Sequence, residues 1–205
     1  MMKFYYAPGS CAMSVHILLE DAEAKFEGIR IDLDSGYQRT KEYLIINPKG
    51  RVPALITENG VLTETPAILS YIAKAYPEKN LAPTNQFEFA KAQAFNMYLS
   101  STVHVGHSHK HRGSRWADDL KALENMTSKV RQNMTEYAKS IQDHYFVGPW
   151  VLGEQYSMCD PYLFVITKWF YDDGVDMKQF SFISDHYDRM QERSSFKKIK
   201  NLHIK

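Results

Sequence analysis

The sequence predicts a mixed α/β unit followed by an all-helical bundle. Three observations carry this. Residues 1–76 alternate short β-type runs with helical runs, the pattern of a small sheet covered by helices. Residues 87–199 read as helix after helix with no strand between them. Between the two lies YPEKNLAPTNQ, residues 76–86, with two prolines, two asparagines and no sustained periodicity, which marks a linker. The boundaries are set at 1–77 for the first unit, 78–86 for the linker and 87–205 for the helical unit.

Each element has its own signal. Lys3–Tyr6 is a short β-rich run ended by Pro8-Gly9. A helix follows, with Val15, Leu18, Leu19 and Ala22 on one face. Phe26–Leu33 carries the alternating Ile29, Ile31 and Leu33 and reads as a second strand. Gly36–Ile46 is ambiguous and is read as a short irregular helix. Pro53–Thr57 and Val61–Thr63 flank Asn59-Gly60, a hairpin signal because both residues tolerate positive φ. Thr65–Tyr76 puts Ile68, Leu69, Ile72, Ala73 and Tyr76 on one stripe and stops before Pro77, whose ring disfavours a helical residue in front of it. The order β-α-β-α-β-β-α is a parallel βαβ unit followed by an antiparallel hairpin. In the second unit Leu120, Leu123, Met126, Val130, Met134, Tyr137 and Ile141 recur every three or four residues, as in a long amphipathic helix of a bundle. Ser157-Met-Cys-Asp160 has the form of a capping box. Its Ser oxygen is expected to accept from the Asp160 amide and its carboxylate to reach back to the Ser157 amide. Pro161 sits in the first turn, where its missing N–H costs least, and Tyr162–Phe170 continues as a strongly apolar helix. As a cap, Asp160 is expected to contribute roughly 0.5–2 kcal/mol of stability and nothing to chemistry.

Composition narrows the function classes. The chain has 205 residues, 44% apolar and 24% charged, a globular composition that argues against disorder. Its 25 basic and 24 acidic side chains leave a formal charge of +1, without the basic excess of a general nucleic-acid binder. No apolar run approaches the ~18 residues of a membrane span. The patch before Pro8-Gly9 is too brief for a secretory signal. Cys11 and Cys159 are too few for a disulfide framework and lack a CxxC arrangement. Two free thiols fit a reducing cytoplasm.

YYAPGSCAMSVHI, INPKGRVPALI and LTETPAILSYIA, in that order, resemble the glutathione-binding half of bacterial cytosolic glutathione S-transferases, most closely the cysteine-containing beta class. The helical half adds a His after SST and the box YSMCDPYLF, so the resemblance covers nearly the whole chain. It implies a thioredoxin-like domain followed by an all-α domain, a homodimer, and glutathione as co-substrate, with a small electrophile as the second partner and no metal. It also implies that Pro53 is cis and that Val52 pairs its backbone with the cysteinyl part of glutathione, like an added strand.

The residues themselves supply chemistry for such a ligand. Thr65 opens a helix, so its amide and hydroxyl would face an anion with the helix dipole behind them; it also serves as an N-cap. Glu64 beside it would pair with the γ-glutamyl ammonium. Arg51 is either the partner of the glycyl carboxylate or a solvated surface residue. The Leu33–Thr40 loop offers no assignable contact. Cys11 and Ser10 lie in the turn before the first helix, where a helix N-terminus lowers a thiol pKa. Cys11 would either form a mixed disulfide with glutathione or donate a hydrogen bond to its thiolate, with Ser10 as the second donor; a buried inert thiol is the third reading. Of Tyr5 and Tyr6, adjacent in a strand, at most one faces the site. In beta-class relatives a His at the position of His104 approaches the glutathione sulfur, and Ser101 and Thr102 would face glutathione from the other subunit. The segment HVGHSHKHRGSRWADD is basic, with His107 and His111 four apart. Three readings stand for it: a metal site, a solvated face, or the mouth of a co-substrate pocket lined by His107, His109 and His111 that favours acidic electrophiles. Trp116, Trp150 and Trp169 are read as core or pocket walls, and Cys159 as inert.

The function expected is a glutathione transferase that joins the glutathione thiolate to a small electrophile. The alternatives are a glutathione-dependent thiol reductase or peroxidase acting through a Cys11 mixed disulfide, and a non-catalytic interaction protein of the same fold.

Overall fold

The computed structural model describes residues 1–204. β1 (Met2–Tyr6) pairs in parallel with β2 (Phe26–Arg30) and antiparallel with β3 (Ala54–Thr57), which pairs antiparallel with β4 (Gly60–Thr63). The sheet order is β2-β1-β3-β4. α1 (Ala12–Asp21) makes the crossover, α2 (Lys41–Ile46) precedes β3, and α3 (Thr65–Ala75) closes the unit. The strand period of two sorts the core. Phe4, Tyr6 and Leu55 pack with α1 and α3, whereas Tyr5 and Ala54 pack with Tyr43 of α2. This thioredoxin-like arrangement is followed by helices alone: α4 (Gln86–Tyr98), α5 (His104–Arg112), α6 (Leu120–His144), α7 (Asp160–Asp172), α8 (Ser181–Glu192) and α9 (Ser194–His203). One wide helical turn, Leu99–Val103, joins α4 to α5.

Three local expectations are corrected, and that of a short irregular helix over Gly36–Ile46 is sharpened. The second strand stops at Arg30, because the Asp32 carboxylate accepts from the Asp34 amide at 3.0 Å and turns the chain. The hairpin turns one residue early: Thr57 faces Gly60 across the strands, so the loop is Glu58-Asn59. Only Gly60 has positive φ there, +119°, and the Thr57 hydroxyl selects this turn by accepting from the Asn59 amide at 3.1 Å. The Gly36–Ile46 segment divides into a 3-10 turn, Tyr37–Arg39, and α2, which Thr40 caps by accepting from the Tyr43 amide. The stripe of α6 is buried only from Val130 onward, through Met134, Ala138 and Ile141, while Leu120 is exposed and Leu123, Met126 and Tyr137 are half-buried.

α7 is buried along nearly its whole length and packs against α1 and α8. Its start explains why. The Asp160 carboxylate, fully buried, accepts from the Ser157 amide at 2.7 Å, the Ser157 hydroxyl at 3.1 Å and the Val151 amide at 2.8 Å, and lies 3.1 Å from His186 Nε2. The carboxylate half of the expected capping box is present. The hydroxyl half is not: the Ser157 oxygen accepts from the Cys159 amide instead, at 3.2 Å. Asp160 therefore organises the 151–160 loop and α8 as well as α7. Among the described residues no helix is long and apolar enough to cross a membrane.

A second buried polar pair joins the ends of the chain. His16 Nδ1 of α1 lies 2.8 Å from His203 Nε2 at the end of α9. Burial pushes the His16 ring down to about 4, and burial together with His16 pushes His203 down to about 3. Both are neutral at neutral pH.

Two measurements check these points. Asp160→Ala, which strips a buried network of its acceptor and leaves His186 unpaired, should lower unfolding free energy by about 3–5 kcal/mol, more than a cap alone; a loss under about 1 kcal/mol in urea titrations contradicts it. The folded pKa values of His16 and His203 lie below those of the unfolded chain, so protons favour unfolding as the pH falls below the ordinary histidine value of about 6.5. Stability should drop between pH 7 and pH 5 by about 2 kcal/mol per ring; a flat pH dependence contradicts the assignment.

Candidate functional site

The N-terminal ends of α1 and α3 face α5 across a cleft between the sheet unit and the helices. Its walls include Cys11, Arg51, Val52, Pro53, Glu64, Thr65, His104 and Tyr162. A second lobe continues past Cys11 and Arg51 to Ser10, Arg39, His107, Arg112, Arg115 and Trp169.

The sequence builds each part locally. Gly9 adopts φ +70°, and the turn it makes lets the Ser10 hydroxyl donate to the Ala7 carbonyl at 2.7 Å and accept from the Ala12 amide at 3.3 Å. Ser10 is thus a turn-forming residue whose hydroxyl proton is already committed. Cys11 follows at the head of α1 and is nearly buried. Its sulfur accepts from the Thr65 hydroxyl at 3.3 Å and lies 3.9 Å from the Val52 carbonyl oxygen. Thr65 is the first residue of α3, not its cap; Glu64 holds the cap position with φ +72°, a conformation costly for a side-chain residue. The Thr65 hydroxyl, expected to meet an anion, is spent on Cys11, which leaves the backbone amide of α3's first turn for that role.

Arg51 is exposed, and its carbonyl is pinned by the Tyr43 hydroxyl and the Asn47 side-chain amide, each at 2.7 Å. This presents Arg51 and half-buried Val52 to the cleft. The Val52-Pro53 peptide is cis. Glu64 is exposed and paired with Lys49 at 2.6 Å. Arg39 packs over Gly50, where a Cβ would sit 2.7 Å from the guanidinium; Gly50 also has φ +60°.

From the helical side, His104 stacks obliquely on Trp169 at 4.7 Å. Burial, then His107, Arg112, Arg51 and Arg115, hold its ring down to about 3, so it is a neutral imidazole at neutral pH. Tyr162 of α7 is fully buried, lines the cleft, and its hydroxyl has no hydrogen-bond partner. Burial, with lesser contributions from Cys11 and Glu64, raises it well above the ordinary tyrosine range, so it is a donor and not a phenolate.

Burial likewise pushes the Cys11 thiol above its ordinary pKa, and the Thr65 hydrogen bond and the Arg112 charge only partly oppose this. The expectation of a lowered pKa at the helix N-terminus is corrected: desolvation outweighs the hydrogen bonds and the Arg112 charge that favour the thiolate. Ser101 and Thr102 do not line this cleft within one chain, and the Ser101 hydroxyl donates to the Met97 carbonyl at 2.8 Å. Tyr5 and Tyr6 both lie in the core, away from the cleft.

The histidine segment separates into three environments. His107 Nδ1 lies 2.7 Å from the buried Asp173 carboxylate, and its ring stacks flat on Trp169 at 4.3 Å. His109 packs edge-on to Trp116, and His111 is exposed. Of His107, His109 and His111, only His107 joins His104 in lining the cleft. Among the described residues no three His, Cys, Asp or Glu side chains converge as metal ligands. The sequence does not single out Arg39, Asn47 or Tyr162 as site residues. Tyr162 lies inside the capping-box motif and reads there as core, and Arg39 sits in a loop whose course no periodicity reveals.

Residues 1–74 match the family described as glutathione S-transferase, N-terminal domain. A solved glutathione transferase homologue from Sulfitobacter, with bound glutathione, is 40% identical over 98% of both chains, with a TM-score of 0.95. The glutathione S-transferase GstA of Escherichia coli O157:H7 is 29% identical over 94% of each chain. The disulfide-bond oxidoreductase YfcG of Escherichia coli K12 is 23% identical over 94% of this chain and 91% of its own.

Cys11 should therefore be slow to alkylate. In native protein, iodoacetamide labelling followed by mass spectrometry should lag behind a free thiol at neutral pH and rise only in the alkaline range. Thr65→Val, which removes the hydroxyl donor, should slow it further. Rapid labelling of Cys11 at pH 7, with Cys159 unlabelled, contradicts a raised Cys11 pKa.

Proposed function

Because the chain belongs to the glutathione S-transferase family, we propose that it binds glutathione in this cleft and conjugates its thiolate to a small electrophile. The observation that carries the proposal is the convergence, around the Cys11 thiol, of Glu64, the α3 N-terminus, Arg51 and the Val52-Pro53 backbone on one wall, with His104 and Tyr162 on the other. Glutathione needs one contact for each of its charged ends, and each has its complement. The γ-glutamyl carboxylate meets the amides at the start of α3, its ammonium meets Glu64, and the glycyl carboxylate meets Arg51. Val52 offers extended backbone to the cysteinyl part. The sulfur then lies near Cys11.

There the chain supplies neutral donors. Cys11 S–H and the unpartnered Tyr162 O–H stabilise the thiolate as its proton leaves to water, and His104, neutral, adds polarity without competing for charge. The sulfur attacks the electrophilic carbon and the leaving group departs with its electron pair. In this reading Ser10 shapes the turn, while Ser101 and Thr102 reach glutathione only across a homodimer interface. The same reading makes the enzyme cytoplasmic, with domains at 1–77 and 87–205 joined by the 78–86 linker.

The reductase alternative requires Cys11 as a nucleophile. Its burial and raised pKa weigh against that; the specific observation on its side is the likeness to a disulfide-bond oxidoreductase. A non-catalytic role leaves the paired complement for glutathione's charged ends without a purpose.

Retention on glutathione resin, with release by free glutathione, is the first expected result; no retention overturns the reading. Glu64→Gln should raise KM for glutathione about tenfold with kcat little changed. Cys11→Ser, which keeps a donor, should retain conjugating activity, and Tyr162→Phe should lower kcat. If Cys11→Ser abolishes a reductive turnover and a glutathione adduct on Cys11, the mixed-disulfide mechanism replaces this one.

A further inference from the structure

The cleft carries more positive charge than glutathione uses. Arg39, Arg51, Arg112 and Arg115 all line it, and none forms an ion pair among the described residues. They are close enough to act on one another: burial, then Arg112, Arg51 and Arg39, lowers Arg115 below the ordinary guanidinium range. The acids in reach do not cancel this charge. Glu64 is held by Lys49, and Asp34, the other acid on the cleft, pairs with none of the four.

Two of the arginines belong to the sheet unit and lie toward the glycyl end: Arg51 before the cis peptide, and Arg39 over Gly50. The other two stand on the opposite wall. Arg112 ends α5 and Arg115 ends the 3-10 turn that follows, beside His104 and Trp116. Glutathione's two carboxylates are already matched by the α3 amides and the glycyl-end arginines. All four arginines are exposed on the rim of the cleft; unpaired guanidinium groups gathered on one rim repel one another through a solvent-screened field, and an anion relieves that repulsion.

Resting on the transferase reading above, we infer that Arg112 and Arg115 anchor a carboxylate on the electrophile, so that the acceptors are acidic molecules and not the neutral apolar ones. Trp116 supplies an aromatic wall for the acceptor's body, and the arginine pair fixes its charged end. For a benzylic chloride bearing a carboxylate, the glutathione thiolate forms the S–C bond and chloride leaves with the C–Cl electron pair. The carboxylate takes no part in bond making; it is held by planar N–H donors. The basic segment thus works through its arginines, and His109 and His111 stay outside.

The test is binding of three stable probes to the full-length protein by calorimetry: S-(p-carboxybenzyl)glutathione, its benzoate methyl ester, and S-methylglutathione. The acid should bind about tenfold tighter than the ester, and added salt should shrink the difference. Arg112→Ala/Arg115→Ala should abolish it while S-methylglutathione affinity stays within about twofold. Equal affinity of acid and ester in the unaltered protein overturns the inference but leaves the transferase reading standing. So does a double variant that retains the preference for the acid, or that loses S-methylglutathione in parallel. Failure of S-methylglutathione to bind the unaltered protein overturns both.

Discussion

The cleft depends on how firmly α1 is held, and Asp21 at its C-terminal end is the tie. Its carboxylate, nearly buried, accepts from the Tyr156 hydroxyl at 2.5 Å and from Arg193 at 2.7 Å, while the Arg193 guanidinium lies over the Tyr156 ring at 3.6 Å. Three chain segments, α1, the loop before α7 and the start of α9, meet at this one carboxylate. Met13, Val15, Leu18 and Leu19 meanwhile join a core that runs without interruption from the sheet to α7 and α9. A helix clamped at its far end and packed on both sides cannot shift along its axis without opening that core. Cys11, at its near end, is thereby set against Thr65.

Burial then decides the chemistry of the cleft more than charge does. Cys11, Tyr162 and His104 are all pushed toward their neutral forms, with desolvation the largest cause in each case. The arginines cannot follow, because a guanidinium keeps its proton at any physiological pH. The result is a floor of neutral donors under a rim of fixed positive charge. Such a site stabilises an anion that forms inside it and also attracts one from outside. These two properties come from the same placement of residues at the junction of a sheet and a helical bundle.

Much of this was legible in sequence because it rests on short-range rules. The strand period placed Phe4 and Tyr6 opposite Tyr5, the helical stripe of Thr65–Ala75 was buried as its spacing implies, and Pro77 stopped the helix at Tyr76. The boundaries that moved did so through single side-chain oxygens, Asp32 at the end of β2 and Thr57 in the hairpin, whose choice of amide no periodicity reveals. In the site, Cys11, Arg51, Val52, Pro53, Glu64, Thr65 and His104 do meet around one cleft. Ser10 and the Thr65 hydroxyl turn out to be committed to the protein itself.

The sequence by itself determined the order of elements, the sheet-then-helix division and the family, because each is written in periodicities, turn residues and motifs a few positions long. It could not determine the ionisation of Cys11, the orphaned hydroxyl of Tyr162, or the meeting of Arg39 and Arg51 with Arg112 and Arg115. Those depend on desolvation and on distances between residues far apart along the chain, and both exist only once α5 and α7 are folded over the sheet.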